Sequence, residues 1–213
     1  MSDCPLCHSD QIHHYHTDKS REYWQCKRCE LVFVGSDYLL PEKDEKSFYD
    51  LHENDIYDER YRRFLSRVYE PISNRVAADA SGLDFGCGPG PALAHMFQES
   101  GKQMSLYDIY YYPDVSSLER QYDFMVSTEV IEHIFEPDIV WKSWLKLVKP
   151  GGWIGLMTKL VKDVDAFATW HYKSDLTHVR FYSRNTFEYL AERDQLELEF
   201  IGNDVILFKV PEL

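Results

Sequence analysis

Two rhythms of apolar positions run along the chain. Between residues 57 and 80, Tyr57, Tyr61, Phe64, Leu65, Val68 and Ile72 recur at three- and four-residue steps, the signature of a helix with one apolar stripe. Pro71 lies within that span and is expected to kink or split it. Further on, short apolar runs alternate with amphipathic segments. Strands are expected at 82–87, 104–108, 123–128 and 153–158, and helices at 91–100, 138–149 and 184–193, with Gly101 ending the first of these helices. The last two runs, 196–201 and 205–209, flank Gly202-Asn203-Asp204, a hairpin signal. This alternation predicts an α/β fold: a mostly parallel sheet with helices on both faces and a C-terminal hairpin adding an antiparallel strand.

The first part of the chain does not follow that alternation. Residues 22–25 and 31–34 read as a small hairpin, and residues 36–55, with the run Pro41-Glu42-Lys43-Asp44-Glu45-Lys46, read as a polar linker with room for a short helix. The expected organisation is an N-terminal unit over 1–36, a linker over 37–56 and an α/β domain over 57–213.

Composition narrows the options. The chain has 213 residues, enough for one α/β domain and a small appendage, and its 44% hydrophobic content supports a buried core. No apolar run approaches the roughly 20 residues of a membrane helix, and the N-terminus lacks a signal-peptide pattern, so no membrane contact and a cytoplasmic location are expected. With 36 acids against 23 bases the net charge is −13, which argues against a partner held by its phosphates. Aromatic residues at 15% suit either an aromatic-lined pocket or extra packing.

Four of the five cysteines are clustered. Cys4-Pro5-Leu6-Cys7 and Cys26-Lys27-Arg28-Cys29 are two C-x2-C pairs with eighteen residues between them, inside the spacing window of zinc sites. Two such turns supply a closed tetrahedral set that leaves no position for water, so the metal is expected to be a structural Zn2+ in a ribbon. The roughly 10–16 kcal/mol such an ion provides would hold a unit too small for its own core. Two disulfides, free thiols or rubredoxin-type iron are the alternatives. His8, His13, His14 and His16 lie close by and are expected in exposed loops, because four thiolates already fill the shell. Cys87, far away in a glycine-rich turn, is expected to be a small packing residue.

That turn, Leu83-Asp84-Phe85-Gly86-Cys87-Gly88-Pro89-Gly90, follows a predicted strand and precedes a helix, where open α/β sheets bind ligands. Pro91 stands where a dinucleotide fingerprint needs Gly or Ala, and no Gly-Lys-Ser/Thr occurs, so neither a dinucleotide nor a Walker A loop fits. With Asp84 in the preceding strand, the segment resembles motif I of class I S-adenosylmethionine-dependent methyltransferases, a Rossmann-like family. The resemblance covers about residue 60 to the C-terminus and is closest to small-molecule enzymes of the ubiquinone and sugar type. Three further segments carry it: 122–133 resembles the fourth-strand motif, Lys149-Pro150-Gly151-Gly152 the turn into the fifth strand, and 178–183 a substrate-side segment. It implies that Asp84, Gly86, Gly88 and Gly90 pass beneath the methionine part of S-adenosylmethionine. It further implies that Asp108 holds the ribose hydroxyls and that Thr128 and Glu129 belong to the cofactor site.

Only fourteen residues separate Asp108 from Asp123, too few for the family's usual helix, third strand and adenine-contacting acid. Either that edge is cut down, or Tyr110-Tyr111-Tyr112-Pro113-Asp114 substitutes for it. Methyl transfer is an in-line displacement governed by positioning, with a base where the nucleophile carries a proton. His133, His178 and His171 are the candidates for that base, each with a purely structural alternative. Arg60, Arg63 and Arg67 either face an anionic substrate or form a solvated face opposite the apolar stripe. The leading expectation is a small-molecule acceptor methylated on O, N or C. The alternatives are an RNA or protein methyltransferase that docks its substrate through the ribbon, and a non-catalytic cofactor-binding assembly module whose ribbon contacts a protein.

Overall fold

The computed structural model describes residues 3–50 and 55–212. The chain opens with three short strands, β1 (Ile12–Thr17), β2 (Glu22–Cys26) and β3 (Val32–Val34), paired antiparallel in that order. The hairpin expected at 22–34 is β2–β3. His13, His14 and His16 ride on β1 and not in a loop, which corrects the sequence reading; the run Ile-His-His-Tyr-His-Thr has no apolar alternation to betray a strand. Helix α1 (Glu42–Tyr49) is the short helix within the polar stretch, and residues 51–54 of that stretch lie outside the described residues.

Helix α2 (Glu59–Ser73) is shorter at both ends than the span 57–80. Asp58 caps it, its side chain accepting from the amides of Arg60 and Tyr61, so Tyr57 falls outside the helix and is 66% exposed. Pro71 sits in the last turn, and the helix ends two residues later. Then follow β4 (Ser81–Phe85), α3 (Ala92–Glu99), β5 (Gln103–Tyr107), β6 (Tyr122–Thr128), α4 (Pro137–Leu147) and β7 (Val148–Met157). The chain finishes with α5 (Val164–Ala168), β8 (Arg180–Phe181), α6 (Arg184–Asp194), β9 (Glu197–Ile201) and β10 (Val205–Lys209).

Six strands form the main sheet in the order β5-β4-β6-β7-β10-β9. The first four are parallel, and β10 returns antiparallel between β7 and β9. Strand periodicity divides the core into two layers. Val205 and Leu207 of β10, with Phe124 and Val126 of β6, pack against Leu65, Val68 and Ile72 of α2 and Phe97 of α3. Ile206 and Phe208 face the other side, with Trp141 and Trp144 of α4 and Phe187 and Leu190 of α6. Each fully buried side chain of this set contributes about 1.5–3 kcal/mol.

The second core layer also takes in Cys4, Leu6, Leu31 and Phe33, so the N-terminal unit packs directly on the α4–α6 face. Strand β8 pairs with β3 and completes a four-stranded sheet β1-β2-β3-β8, drawing a segment just before α6 into the ribbon. His8 is exposed in a loop, as expected, and its side chain hydrogen-bonds Asp138 of α4 at 2.9 Å. Among the described residues no helix is long and apolar enough to cross a membrane.

Candidate functional site

Each C-x2-C turn is built alike. The amide of His8 donates to the Cys4 carbonyl and that of Glu30 to the Cys26 carbonyl, both at 3.0 Å, and His8 and Glu30 each take a left-handed φ, +56° and +57°. The turns bring Cys4 Sγ within 3.5 Å of Cys29 Sγ and Cys7 Sγ within 3.4 Å of Cys26 Sγ, and all four sulfurs lie within 4.8 Å of one another. No disulfide joins them. A tetrahedral ion with metal–sulfur bonds of about 2.3 Å holds its sulfurs nearly 4 Å apart, so the donor set and spacing fit a metal with four thiolate ligands. The set is buried against Leu6, Leu31 and the α6 face, away from solvent.

A cavity of about 710 Å³ opens at the C-terminal ends of β4, β5 and β6, the position expected for ligands in such a sheet. One end is the glycine turn. Gly86 and Gly88 adopt positive φ, +74° and +64°, which reverses the chain after β4. A Cβ on Gly86 would lie 2.4 Å from Val130, so side-chain-free backbone is required there. The Asp108 carboxylate, at the tip of β5, accepts from the amide of Gly88 at 2.9 Å through one oxygen. Through the other it accepts from the amides of Tyr110 and Tyr111 at 2.9 and 3.1 Å. It thus ties the glycine turn to the segment after β5, and the oxygen bonded to Gly88 keeps one acceptor position. Asp84 lies beneath the turn, and burial pushes its carboxyl up to about 7. Asp84, Gly86, Gly88, Asp108, Thr128 and Glu129 all line the cavity; Gly90 is buried behind it and does not.

The region after Asp108 is cut down. The chain makes a tight bridge from Asp108 to Tyr112 and one 3-10 turn at Val115–Leu118, then enters β6, leaving β5 as the edge of the sheet. Ile109, Tyr110 and Tyr111 form the cavity wall in its place, and Ile109 is 64% exposed.

The other end of the cavity gathers residues from separate stretches. His133 and His178 face one another with ring centroids 4.6 Å apart, and Tyr172 lies against His178 at 4.1 Å. The half-buried Glu129 and the fully buried Glu132, which does not itself line the cavity, both sit above the usual carboxylate range; burial is the main cause, and repulsion from Glu129 adds to it for Glu132. Tyr172 Oη donates to Glu132 in a short hydrogen bond, and Thr158 Oγ1 donates to its other oxygen at 3.1 Å. Burial lowers His178, which favours the neutral ring. Glu129 holds a left-handed φ of +52°, an uncommon conformation for a residue with a side chain. His171 is exposed, 3.2 Å from Lys159 Nζ, and does not line the cavity.

Two groups were not singled out in the sequence. Helix α1 contributes Glu45 and Tyr49 to the cavity wall: Tyr110 Oη donates to Glu45 at 2.9 Å, and the Tyr49 ring meets His133 edge-on at 5.3 Å. Arg21, only 3% exposed, reaches out of the ribbon and donates to the carbonyls of Lys173, Asp175, Leu176 and His178. The aromatic residues at 49 and 110 were the available signal for the first group; an arginine that caps a distant loop leaves none. Arg60, Arg63 and Arg67 are exposed and none lines the cavity; Arg67 pairs with Asp204, in line with a solvated face. Burial pushes the Cys87 thiol up, as suits a packing role.

A family model described as a methyltransferase domain matches residues 57–199. No curated protein matches the chain in sequence. Among solved structures, the Burkholderia thailandensis 1,6-didemethyltoxoflavin-N1-methyltransferase, with 1,6-didemethyltoxoflavin and S-adenosylhomocysteine bound, is similar at 13% identity and a TM-score of 0.56. That match covers 93% of this chain and 99% of the other. Human N-acetylserotonin methyltransferase in complex with S-adenosylmethionine is similar at 14% identity and a TM-score of 0.57, over 80% of this chain and 57% of the other. An O-methyltransferase family protein from B. thailandensis is similar at 16% identity and a TM-score of 0.51, over 83% of this chain and 62% of its own length. At these identities the likeness is one of fold.

Proposed function

The chain belongs to the methyltransferase-domain family, and from that premise we propose that it transfers a methyl group from S-adenosylmethionine to a small-molecule acceptor. The observation that carries the proposal is the continuity of the cavity. One space runs from the glycine turn and the Asp108 carboxylate to the facing imidazoles of His133 and His178. The methionine part of the cofactor lies along Asp84, Gly86 and Gly88, its ribose on Asp108, and its adenine against Ile109 and Tyr110. Thr128 and Glu129 border the sulfonium, and Gly90 supports the turn from behind. The acceptor then occupies the imidazole end, where His133 and His178 serve its proton; His171, outside the wall, has no part in this.

The cavity wall carries six carboxylates, on Glu45, Asp84, Asp108, Glu129, Glu136 and Asp175, against one ammonium, on Lys159. That balance suits a cationic cofactor and opposes a polyanionic RNA acceptor. In this reading residues 1–36 form a zinc ribbon with Cys4, Cys7, Cys26 and Cys29 as ligands. Residues 37–56 are the linker, from which Glu45 and Tyr49 reach the cavity wall, and 57–213 form the catalytic domain. Zinc is assigned from its preference for four closed thiolates; it supplies folding energy and takes no part in the transfer.

Calorimetry with S-adenosylhomocysteine, followed by turnover on a panel of hydroxylated and amino metabolites beside RNA and basic peptides, tests the proposal. One bound cofactor per chain and methylation confined to metabolites are expected. Failure to bind the cofactor sinks it; methylation of RNA or peptide alone transfers the function to the ribbon-docking alternative.

A further inference from the structure

The imidazole end of the cavity holds more than a base needs. Glu132, His133 and His178 each offer one ligand atom, and these atoms lie within 4.8 Å of one another. Both rings are pinned by the same device. His178 Nδ1–H donates to the Tyr172 carbonyl at 2.7 Å, and His133 Nδ1–H to the Thr177 carbonyl at 3.2 Å. Each bond fixes the tautomer and makes Nε2 the basic nitrogen, the arrangement in which ligating histidines are held. The carboxylate is oriented as well, with Tyr172 Oη on one oxygen, Thr158 Oγ1 on the other and its own backbone amide as a third donor, which leaves one acceptor position for a cation. The pinning carbonyls belong to residues 172–177, the stretch whose other carbonyls Arg21 holds from the ribbon.

From this geometry we infer that Glu132, His133 and His178 form a second metal site, distinct from the four cysteines, which takes a divalent cation at the acceptor end of the cavity. Two imidazoles and one carboxylate leave open coordination positions, unlike the closed thiolate set. Because His133 and His178 line the cavity, those positions face the acceptor. The inference rests on the methyltransferase reading for its role: the cation holds and acidifies a hydroxyl of the acceptor, so the favoured substrate class is a hydroxylated small molecule. The hydroxyl proton passes to solvent, the oxygen lone pair forms the new O–CH3 bond, and the electron pair of the breaking C–S bond stays on sulfur as S-adenosylhomocysteine leaves. The histidines then serve the acceptor's proton through the ion.

The test is a Mn2+ titration of the zinc-loaded protein followed by electron paramagnetic resonance, since Mn2+ prefers nitrogen and oxygen ligands and leaves the thiolate site alone. One Mn2+ per chain is expected, with spin-echo modulation from imidazole nitrogen. His178→Ala and, separately, the less buried His133→Ala are expected to weaken it at least tenfold while S-adenosylhomocysteine binding, read by calorimetry, stays within threefold. Absence of nitrogen modulation in the wild type, or unchanged Mn2+ affinity in both variants, overturns the site. A chain that binds S-adenosylhomocysteine but no Mn2+ loses the cation site and keeps the cofactor reading. A chain that binds Mn2+ through nitrogen but no cofactor upholds the site and defeats the reading.

Discussion

The glycine-turn end of the cavity is made by two neighbouring strand ends, residues 84–88 and 107–111. The imidazole end draws on 45–49, 129–136 and 172–178, with Arg21 of the ribbon behind them. The turn of the first end is held locally, with Tyr110 and Tyr111 also reaching Glu45 and Asp50 through their hydroxyls. It is held by Asp108 and by the amide of Gly86 donating to the Tyr107 carbonyl at 2.7 Å, all within two adjacent strands. The second exists only when remote parts of the chain are docked. Cofactor binding is therefore insulated from the N-terminal unit, and acceptor positioning is not. A fold that keeps one end constant can change its acceptor by altering the stretches assembled at the other.

The largest effect separating the two ends is expected from Asp108→Ala. The substitution removes the proposed ribose acceptor and strips the Gly88, Tyr110 and Tyr111 amides of their shared partner. A loss of about 3–4 kcal/mol, or about 10²–10³-fold in S-adenosylhomocysteine affinity by calorimetry, is expected. Turnover at saturating cofactor should survive, because the imidazole end is untouched. A loss under tenfold would mean that the ribose is held elsewhere.

Next in size is Arg21→Met, which keeps the buried stem and deletes the guanidinium that holds four carbonyls of the 173–178 segment. Turnover is expected to fall about 10–100-fold, since small displacements of positioned groups cost that much, while S-adenosylhomocysteine affinity stays within threefold. Arg21→Lys should not rescue it, because an ammonium cannot span carbonyls arrayed for a planar fork. Equal losses in cofactor affinity and turnover would break the distinction between the ends.

The same contrast explains what could be read from the sequence. Most of the main strands and helices appear within a few residues of their expected positions, because each carries a clear two- or 3.6-residue rhythm, although α2 stops seven residues early and β7 starts five residues early; the four cysteines were found by spacing alone. Gly86 and Gly88 could be picked out from the contiguous glycine turn, and Asp108 from the family resemblance, and all three line the cavity. Strand β1 was missed because three histidines mask its alternation, and β8 because two residues, Arg180 and Phe181, have no rhythm. The contribution of α1 was missed because a polar helix carrying Glu45 and Tyr49 looks like a linker until it covers a cavity. His133 and His178 could be picked out, but not their juxtaposition. That depends on Arg21 and on Arg180, whose guanidinium reaches the Val34 and Phe135 carbonyls, and neither leaves a local trace.

The smallest expected effect sharpens the cofactor end alone. Burial raises Asp84 from 3.8 to about 7, so the folded protein without cofactor favours the neutral carboxyl. The stability this group contributes is fully present below about pH 4 and is lost as pH rises through 7. Asp84→Asn mimics the neutral form and can still accept from the Ala94 amide. Its stability relative to wild type should therefore improve by about 2–3 kcal/mol between pH 5 and pH 8, read by denaturant titration without cofactor. S-adenosylmethionine should reverse the order at pH 8, because its sulfonium and ammonium favour the charged carboxylate that the variant lacks. For the same reason wild-type affinity should weaken as pH falls below 7. A variant whose stability tracks wild type at every pH would mean that Asp84 stays charged in the empty protein. The glycine-turn end would then carry its carboxylate ready-ionised and would not await the cation to draw the proton off.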